Sequence, residues 1–86
     1  GKIERKSSLE LDIRGCAIDE GIHEVDRFID NAVMLNAGIV TIIHGKGTGL
    51  LRQGIQRHLR SHPSVKSFRN GVFGEGEDGV TVVELK

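Results

Sequence analysis

Hydrophobic residues first alternate with polar ones and then recur at helical spacing along the first half of the chain. Between Leu9 and Ile13 every second residue is apolar, which predicts a strand with one buried and one polar face. Over residues 17–37 apolar side chains return every three or four positions, which predicts a helix about 30 Å long. Asn36 and Gly38 are expected to end this helix, because both residue types tolerate the left-handed conformation of a helix C-terminus.

The second half of the chain predicts one further helix and three strands. Ile39–Ile43 is β-branched at every position, which is typical of a central strand. A helix is predicted over Leu50–Ser61, before Pro63, and strands are predicted over Val65–Phe68 and Val80–Leu85. Residues 70–79 are rich in glycine and acidic residues and are expected to form a mobile surface loop.

The order of elements is β-α-β-α-β-β, which indicates an α/β protein. The first β-α-β crossover is expected to be right-handed with the first two strands parallel, and a second crossover of the same hand puts both helices on one face. We therefore predict a two-layer α/β sandwich, in which a four-stranded mixed sheet carries both helices on one face and is open on the other. The second helix is predicted to have a buried side (Leu51, Ile55, His58, Leu59) and an outward side (Arg52, Gln56, Arg57, Arg60).

The length of 86 residues allows one domain, which we place at residues 9–86. Because the chain begins with Gly rather than Met, it is expected to be a piece of a longer protein, with residues 1–8 a polar linker or an artificial end. No stretch has the pattern of a membrane span or a secretion signal. The lone Cys16 excludes an internal disulfide and a cysteine-based zinc site, and it fits a reducing, cytoplasmic setting.

Charge is distributed unevenly along the chain, although the net charge is zero. Residues 31–74 contain six Lys and Arg and no acidic residue, whereas the segments on either side are acidic. Such a stretch is typical of a surface that binds a polyanion, and the simpler alternative is a solvated basic helix face. The expected sequence-independent contacts to nucleic-acid phosphates are Arg52, Arg57, Arg60 and Lys66.

A glycine-rich loop, His44–Gly49, connects the second strand to the second helix. Glycine has no Cβ and the first N–H groups of a helix lack partners, so such a loop can approach an anion closely. The candidate phosphate-binding residues are therefore Gly45, Lys46, Gly47 and Thr48, with a tight turn as the structural alternative. The spacing matches neither the ATP-binding loop, in which Lys directly follows the last Gly, nor the dinucleotide motif of a first strand-to-helix turn.

Asp12, Arg14 and His44 are the candidate catalytic residues. Ligands of parallel α/β sheets bind outside the carboxyl ends of the strands, where the ends of the first two strands are expected to meet. There His44 can act as an acid or base, Arg14 can hold phosphoryl oxygens, and Lys46 can offset transition-state charge. Asp12 can orient His44 or Arg14, or bind a divalent cation.

Each candidate also has a purely structural interpretation. Asp12 and Arg14 can form an exposed ion pair, and His44 can cap the loop. His58 and His62 have a helical spacing compatible with a metal, but the sequence suggests no third ligand, so packing is favoured. A nucleophilic pair of Cys16 with His44 lacks an oxyanion hole and a third group.

Two motifs together resemble the paired signatures of the Smr (small MutS-related) domain family. They are Leu11-Asp12-Ile13-Arg14-Gly15 and His44-Gly45-Lys46-Gly47-Thr48-Gly49, in this order and with one helix between them. The resemblance extends from Leu9 to Leu85. Segments 59–63 and 79–85 look most like the domain at the C-terminus of the second bacterial MutS branch.

The resemblance implies a fold like the C-terminal domain of translation initiation factor three, and nucleic-acid binding with nicking endonuclease activity in several members. It implies a larger MutS-like ATPase as the parent chain. The implied partners are branched or nicked DNA, because this branch is linked to the suppression of recombination. RNA and stalled or collided ribosomes are the other implied partners, because the branch is also linked to ribosome rescue. Some family members have His at the position of Arg14, so a two-histidine scheme is disfavoured here and Arg14 becomes an electrostatic stabiliser.

Three functions stay open at this point. The first is a structure-selective nicking endonuclease without a tightly bound cofactor, for which the need for Mg²⁺ or Mn²⁺ and the choice of DNA or RNA are undecided. The second is a non-catalytic module that docks the parent ATPase onto nucleic acid or the ribosome. The third, an enzyme for a small phosphorylated metabolite, leaves the basic stretch unexplained.

Overall fold

A computed structural model describes residues 9–86, and the predicted linker or artificial end at residues 1–8 lies outside the described residues. The elements, in chain order, are β1 (Leu9–Asp12), α1 (Ile18–Met34), β2 (Ile39–Ile43), α2 (Leu50–Arg60), β3 (Val65–Asn70), a 3₁₀ helix (Glu77–Gly79) and β4 (Val80–Leu85). This order confirms the predicted β-α-β-α-β-β arrangement. The helices within residues 9–86 lack the length and hydrophobicity that crossing a membrane requires.

The four strands form one mixed sheet in the order β1-β2-β4-β3. β1 and β2 are parallel, with Asp12 opposite Ile43, so the carboxyl ends of both strands meet at one edge, as predicted. β4 runs antiparallel to both of its neighbours, β2 and β3. β2 is therefore a central strand, as its β-branched sequence predicts.

One hydrophobic core lies between the sheet and the two helices. It combines Val40 and Ile42 of β2 and Val83 of β4 with Ile29 of α1 and Ile55 of α2, all fully buried. The alternate strand residues lie on the opposite face, where Ile39 is 53% exposed. The predicted sandwich, with both helices on one face and the other face open, is confirmed.

The ends of the helices differ from the prediction by one turn or less. α1 ends at Met34 rather than near residue 37, because Asn36 takes a left-handed conformation with φ 58°. The N–H of Ala37 donates to the carbonyl of Ala32 at 2.9 Å, which closes the helix in the manner of a Schellman motif. α1 is therefore about 25 Å long rather than about 30 Å. α2 ends at Arg60, one residue before the predicted end.

The segment between Phe68 and Val80 is more ordered in structure than the sequence predicts. β3 continues to Asn70, because Arg69 and Asn70 pair with β4. The predicted loop contains the 3₁₀ helix Glu77–Gly79, and the N–H of Gly71 donates to the carbonyl of Glu77 at 2.9 Å. This 3₁₀ helix, called the acidic turn below, lies directly before β4 and therefore beside the carboxyl end of β2.

Candidate functional site

The glycine loop turns the chain from β2 into α2 through three left-handed residues. Gly45, Gly47 and Gly49 have φ values of 81°, 38° and 84°, a conformation that residues with a Cβ rarely adopt. The backbone N–H groups of His44 and Gly45 both donate to the carbonyl of Gly79, at 3.1 and 2.9 Å. The start of the loop is thus fixed to the acidic turn.

The loop lines an open crevice of about 240 Å³ together with the segment after β1 and the start of α2. Lys46 and Arg52 are its basic lining residues. The Thr48 hydroxyl accepts a hydrogen bond from the N–H of Leu50 at 3.3 Å. The N–H groups of Leu51 and Arg52 lie in the first turn of α2, where amides have no acceptor within the helix. The crevice therefore joins backbone donors and two cations, as an anion site requires.

Asp12 and Arg14 form a bidentate ion pair just outside the crevice. Arg14 Nε donates to Oδ1 of Asp12 at 3.0 Å, Nη2 donates to Oδ2 at 2.6 Å, and the backbone N–H of Arg14 also donates to Oδ1. Both side chains are exposed, by 64% for Arg14 and 45% for Asp12. These hydrogen bonds hold the pKa of Asp12 at about 2 and raise that of Arg14, so both groups are charged at neutral pH.

His44 and the Asp12–Arg14 pair lie on opposite sides of the same sheet edge. Because side chains alternate along a strand, Asp12 shares the open face with Ile43, whereas His44 faces the helices. A Cβ at Gly45 would lie 3.4 Å from Cγ of Arg14, so the glycine loop is in contact with the arginine stem. Within residues 9–86 no hydrogen bond joins His44 to Asp12 or Arg14.

His44 is buried and both of its ring nitrogens are hydrogen-bonded within the protein. His44 is only 5% exposed. Nδ1 lies 3.0 Å from the carbonyl of Gly45, which can only accept, so Nδ1 carries the proton. Nε2 then accepts from the Thr81 hydroxyl at 2.7 Å, and Gln56 Nε2 donates to that hydroxyl at 3.0 Å and to Oδ1 of Asn70 at 2.8 Å. Both ring nitrogens of His44 and the Thr81 hydroxyl therefore have the partners that this arrangement requires.

The surroundings of His44 favour the neutral imidazole. Burial lowers its pKa, and the Arg52 guanidinium acts in the same direction, against the opposite effects of the Gly45 carbonyl and the Asp78 carboxylate. A protonated ring would place an N–H at Nε2, and the Thr81 hydroxyl hydrogen would then need a new acceptor. In this arrangement His44 connects the glycine loop to β4 and α2.

The sequence interpretation missed the partners of His44. Gln56 was predicted to face outward, but its amide reaches inward to Thr81 and Asn70, which is a correction to the prediction for α2. Thr81 lies in the predicted strand Val80–Leu85 and is fully buried, but the sequence interpretation assigned it no role. The alternation of side chains along β4 could have predicted this burial, because Thr81 lies on the same strand face as Val83 and Leu85.

The basic stretch 31–74 is largely neutralised by the C-terminal segment of the same chain. All four carboxylates of residues 75–86 pair with basic side chains from that stretch, at 2.8–3.7 Å. The pairs are Lys46–Glu77, Arg52–Asp78, Lys66–Glu84 and Arg69–Glu75. Among residues 9–86, Arg57 and Arg60 have no carboxylate partner, and Arg60 lies over the Phe68 ring at 5.9 Å from its centroid.

The predicted phosphate contacts do not form one cluster. Arg52 lies in the crevice, whereas Arg60 and Lys66 line a separate surface cleft near the other end of α2. Arg52 and Arg60 are eight residues apart, or about 12 Å along the helix axis. Arg57 is exposed on α2 between them. A bound backbone that contacts all four residues must therefore extend along α2.

The remaining titratable candidates have partners outside the crevice or lack reactivity. Asp26 Oδ1 accepts from His58 Nε2 at 2.6 Å and lies 3.4 Å from His62 Nε2, so one carboxylate of α1 holds both rings. Desolvation raises the pKa of the Cys16 thiol, and the Glu20 carboxylate adds to this, which keeps the thiol protonated and unreactive. In the described range 9–86, no group of three or more His, Cys, Asp or Glu side chains is placed to hold a metal ion.

The sequence matches the family model described as the Smr domain over residues 11–86. The chain belongs to the Smr domain family. The match begins at the first motif and includes the glycine loop, the acidic turn and β4. It confirms the resemblance that the two motifs predict.

Curated relatives of this Smr domain are much longer proteins. Endonuclease MutS2 of Caldicellulosiruptor bescii is 57% identical over 83 residues, which cover 96% of this chain and 10% of the relative. Endonuclease MutS2 of Staphylococcus saprophyticus is 53% identical over 87 residues, which cover 99% of this chain and 11% of the relative. The chain thus spans about a tenth of the length of these relatives.

Two crystal structures share the fold. The Smr domain of Thermus thermophilus MutS2 is 44% identical, with a TM-score of 0.89 over 91% of this chain and 98% of that one. YdaL, a stand-alone small MutS-related protein from Escherichia coli, is 24% identical, with a TM-score of 0.86 over 94% of this chain and 66% of that one. At that identity YdaL supports the fold alone.

Proposed function

We propose that this Smr domain binds a nucleic-acid backbone at the crevice and hydrolyses a phosphodiester there, as the nuclease part of a larger MutS-like ATPase. The observation that carries this proposal is the crevice itself, where backbone donors of the glycine loop and α2 lie beside Lys46 and Arg52. The Asp12–Arg14 pair lies at the same sheet edge. The names of the MutS2 relatives support the endonuclease assignment.

Phosphate binding is the best supported step of the proposal. A phosphodiester carries one negative charge, and the start of a helix attracts such a charge through its free N–H groups and its dipole. Lys46 and Arg52 add two mobile cations at the same place. The absence of Cβ atoms at Gly45 and Gly47 lets the phosphate approach the backbone. These contacts involve no base, so the binding we propose is independent of sequence.

Asp12, Arg14 and His44 are the residues that we propose for the cleavage chemistry. In hydrolysis a water oxygen bonds to phosphorus and releases a proton to solvent, the P–O ester bond breaks, and the leaving oxygen takes up a proton. Asp12 is ionised and exposed, so it can orient the attacking water, and Arg14 can offset charge on the phosphoryl oxygens. His44 positions the loop, and it can accept a proton at Nε2 only after the Thr81 hydroxyl turns away.

A nicking assay with matched variants tests the proposal. The chain is incubated with supercoiled plasmid, branched DNA and structured RNA, each with Mg²⁺, with Mn²⁺ or with chelator. We expect nicking by the native chain and by Asp30→Asn, a control on the exposed side of α1, and loss of nicking in Asp12→Ala and His44→Ala. Nicking that persists unchanged in both active-site variants would contradict the assignment.

A non-catalytic docking module is the second candidate function, and the hydrogen bonding of the site favours it. Asp12 and Arg14 satisfy each other, and His44 is satisfied within the fold. Asp12, Arg14 and His44 therefore each already have a hydrogen-bond partner within the protein. Binding to the same nucleic acids without nicking under any metal condition would favour this function over hydrolysis.

The finer partners are also proposals. Branched or nicked DNA and structured RNA both present closely spaced phosphates to a crevice of this kind. We propose that the parent chain delivers the domain either to recombination intermediates or to stalled ribosomes. Comparison of affinities for branched DNA, for linear duplex and for isolated ribosomes distinguishes these targets.

A further inference from the structure

The two cations of the crevice are already occupied by carboxylates of the acidic turn. Lys46 Nζ lies 3.0 Å from Oε1 of Glu77 and 3.9 Å from Oδ1 of Asp78. Arg52 Nη1 lies 3.6 Å from Oδ2 of the same Asp78. The turn thus presents two negative charges to the two side chains that a bound phosphate would contact.

The backbone of the turn is fixed to the glycine loop, whereas its side chains are not. The Gly79 carbonyl accepts from the N–H groups of His44 and Gly45, and a Cβ at Gly79 would lie 3.4 Å from Cγ of Lys46. By contrast, the side chains of Glu77, Asp78 and Lys46 are 48%, 54% and 60% exposed. The ion pairs can therefore open by side-chain rotation while the turn stays in place.

Exposed ion pairs of this kind contribute little to stability, so their partners can be exchanged. A phosphodiester brings the same charge as a carboxylate, and in addition it can accept hydrogen bonds from the loop and helix amides. The carboxylates of Glu77 and Asp78 do not reach those amides in any hydrogen bond of residues 9–86. A phosphate can thus replace the carboxylates and gain contacts that they do not make.

We propose that the acidic turn is an internal competitor of the nucleic-acid backbone. In the free domain Glu77 and Asp78 hold Lys46 and Arg52, and a phosphate must displace them before it occupies the crevice. This inference rests on the proposed function, because it assumes that the crevice binds phosphate. Displacement of the two carboxylates costs binding free energy, so isolated or weakly held phosphates do not occupy the crevice.

The test compares two double variants that change the net charge equally. Glu77→Gln/Asp78→Asn removes the competitor, and Glu10→Gln/Asp30→Asn removes two carboxylates that pair with no basic side chain in residues 9–86. Affinity for a labelled short branched DNA is measured by fluorescence anisotropy at low salt, and circular dichroism checks folding. We expect the turn variant to bind about three- to tenfold more tightly and the control to bind less than twofold more tightly.

A third arm separates release of the cations from a general gain of positive charge. In the Lys46→Ala/Arg52→Ala background, Glu77 and Asp78 no longer have these cations as partners. The two turn substitutions should then raise the affinity for DNA no more than the control pair does. Equal effects of both double variants in the native background would overturn the inference, and so would weaker binding by the turn variant. Binding by the native chain that Lys46→Ala/Arg52→Ala leaves unchanged would instead refute the proposed crevice itself.

Discussion

Asp12, the last residue of β1, and Arg14, in the turn that follows, hold each other in place before any ligand binds. The Asp12 carboxylate accepts from the backbone N–H of Arg14 and forms a bidentate pair with its guanidinium. The pair is exposed, so its value to stability is small. Its consequence is electrostatic, because it keeps a carboxylate ionised at the edge of the crevice.

A titration checks this consequence directly. The pKa of Asp12 is about 2, below its usual 3.8, so its contribution to stability is present above pH 3.8 and is lost as the pH falls through about 2. Arg14→Ala should return the pKa of Asp12 toward 3.8. NMR titration of the Asp12 side-chain carboxyl measures both values. A pKa that stays near 2 without Arg14 would mean that another group holds the charge.

Thr81 is the residue on which the position of His44 depends. Thr81→Val keeps the shape of the side chain but leaves the buried Nε2 of His44 without a donor. We expect the free energy of unfolding to fall by about 1–3 kcal/mol, the typical cost of an unsatisfied buried polar group. Thr41→Val is the matched control, because Thr41 lies on the open face of the sheet and should tolerate the change. Urea denaturation of the three proteins measures the difference, and equal stabilities would contradict the role assigned to Thr81.

At the scale of elements, α1 and α2 pack closely because small residues lie between them. A Cβ at Gly54 of α2 would lie 2.7 Å from Cγ2 of Ile18, and a Cβ at Gly21 of α1 would lie 3.3 Å from Cδ1 of Leu51. Glycine inside a helix otherwise lowers stability by about 1 kcal/mol relative to alanine. The two glycines are thus kept for packing rather than for helix formation.

A double-mutant cycle tests this packing. Gly54→Ala alone should lower the free energy of unfolding by about 1–2 kcal/mol, because the added methyl group overlaps Ile18. In the background of Ile18→Ala, which removes Cγ2, the same substitution should raise stability by up to about 1 kcal/mol through the helix propensity of alanine. Thermal or urea unfolding of the four proteins gives the coupling. Additive effects would show that Ile18 does not limit the approach of the helices.

The sheet explains why α2 is a suitable support for the crevice. α2 begins at the carboxyl end of β2, and along one side of α2 Arg52 pairs with the acidic turn, Gln56 contacts β3 and β4, and Arg60 lies over a ring of β3. On that side of α2, Gln56 donates to the Thr81 hydroxyl, which in turn donates to His44. A change at the middle of α2 therefore reaches the glycine loop through two hydrogen bonds.

At the scale of the whole molecule, positive and negative segments of one chain neutralise each other. The net charge of zero gives no long-range attraction for nucleic acid, so the proposed binding depends on local contacts at the crevice. Binding that engages two or three phosphates should give a slope of log affinity against log salt of about −2 to −3 for duplex DNA. Anisotropy measurements between about 50 and 200 mM salt provide this slope. A slope near zero would rule out a polyanion as the ligand.

The sequence by itself determined the elements, the sheet edge and the family. Alternation and helical spacing are local properties of the chain, so they predicted the four strands and both α-helices with errors at the ends, and they missed the 3₁₀ helix Glu77–Gly79. Asn36 was correctly expected to stop α1, but the exact last residue of α1 and the longer β3 depend on hydrogen bonds that spacing does not encode. The β-α-β order likewise placed Asp12 and His44 at the same end of the sheet, because the crossover makes the two strands parallel, while the fold decided that these strands are direct neighbours.

Only the tertiary structure decided what these residues contact. His44 and Thr81 are 37 positions apart, and Lys46 and Glu77 are 31 apart. Both pairs form because the antiparallel register of β2 and β4 sets Ile43 opposite Val80, which brings the acidic turn beside the glycine loop. Sequence periodicity reports which face a side chain takes, but not which strand will lie next to it. For that reason the sequence predicted a candidate phosphate-binding loop, whereas only the fold showed that its His44 is buried and that Glu77 and Asp78 pair with Lys46 and Arg52.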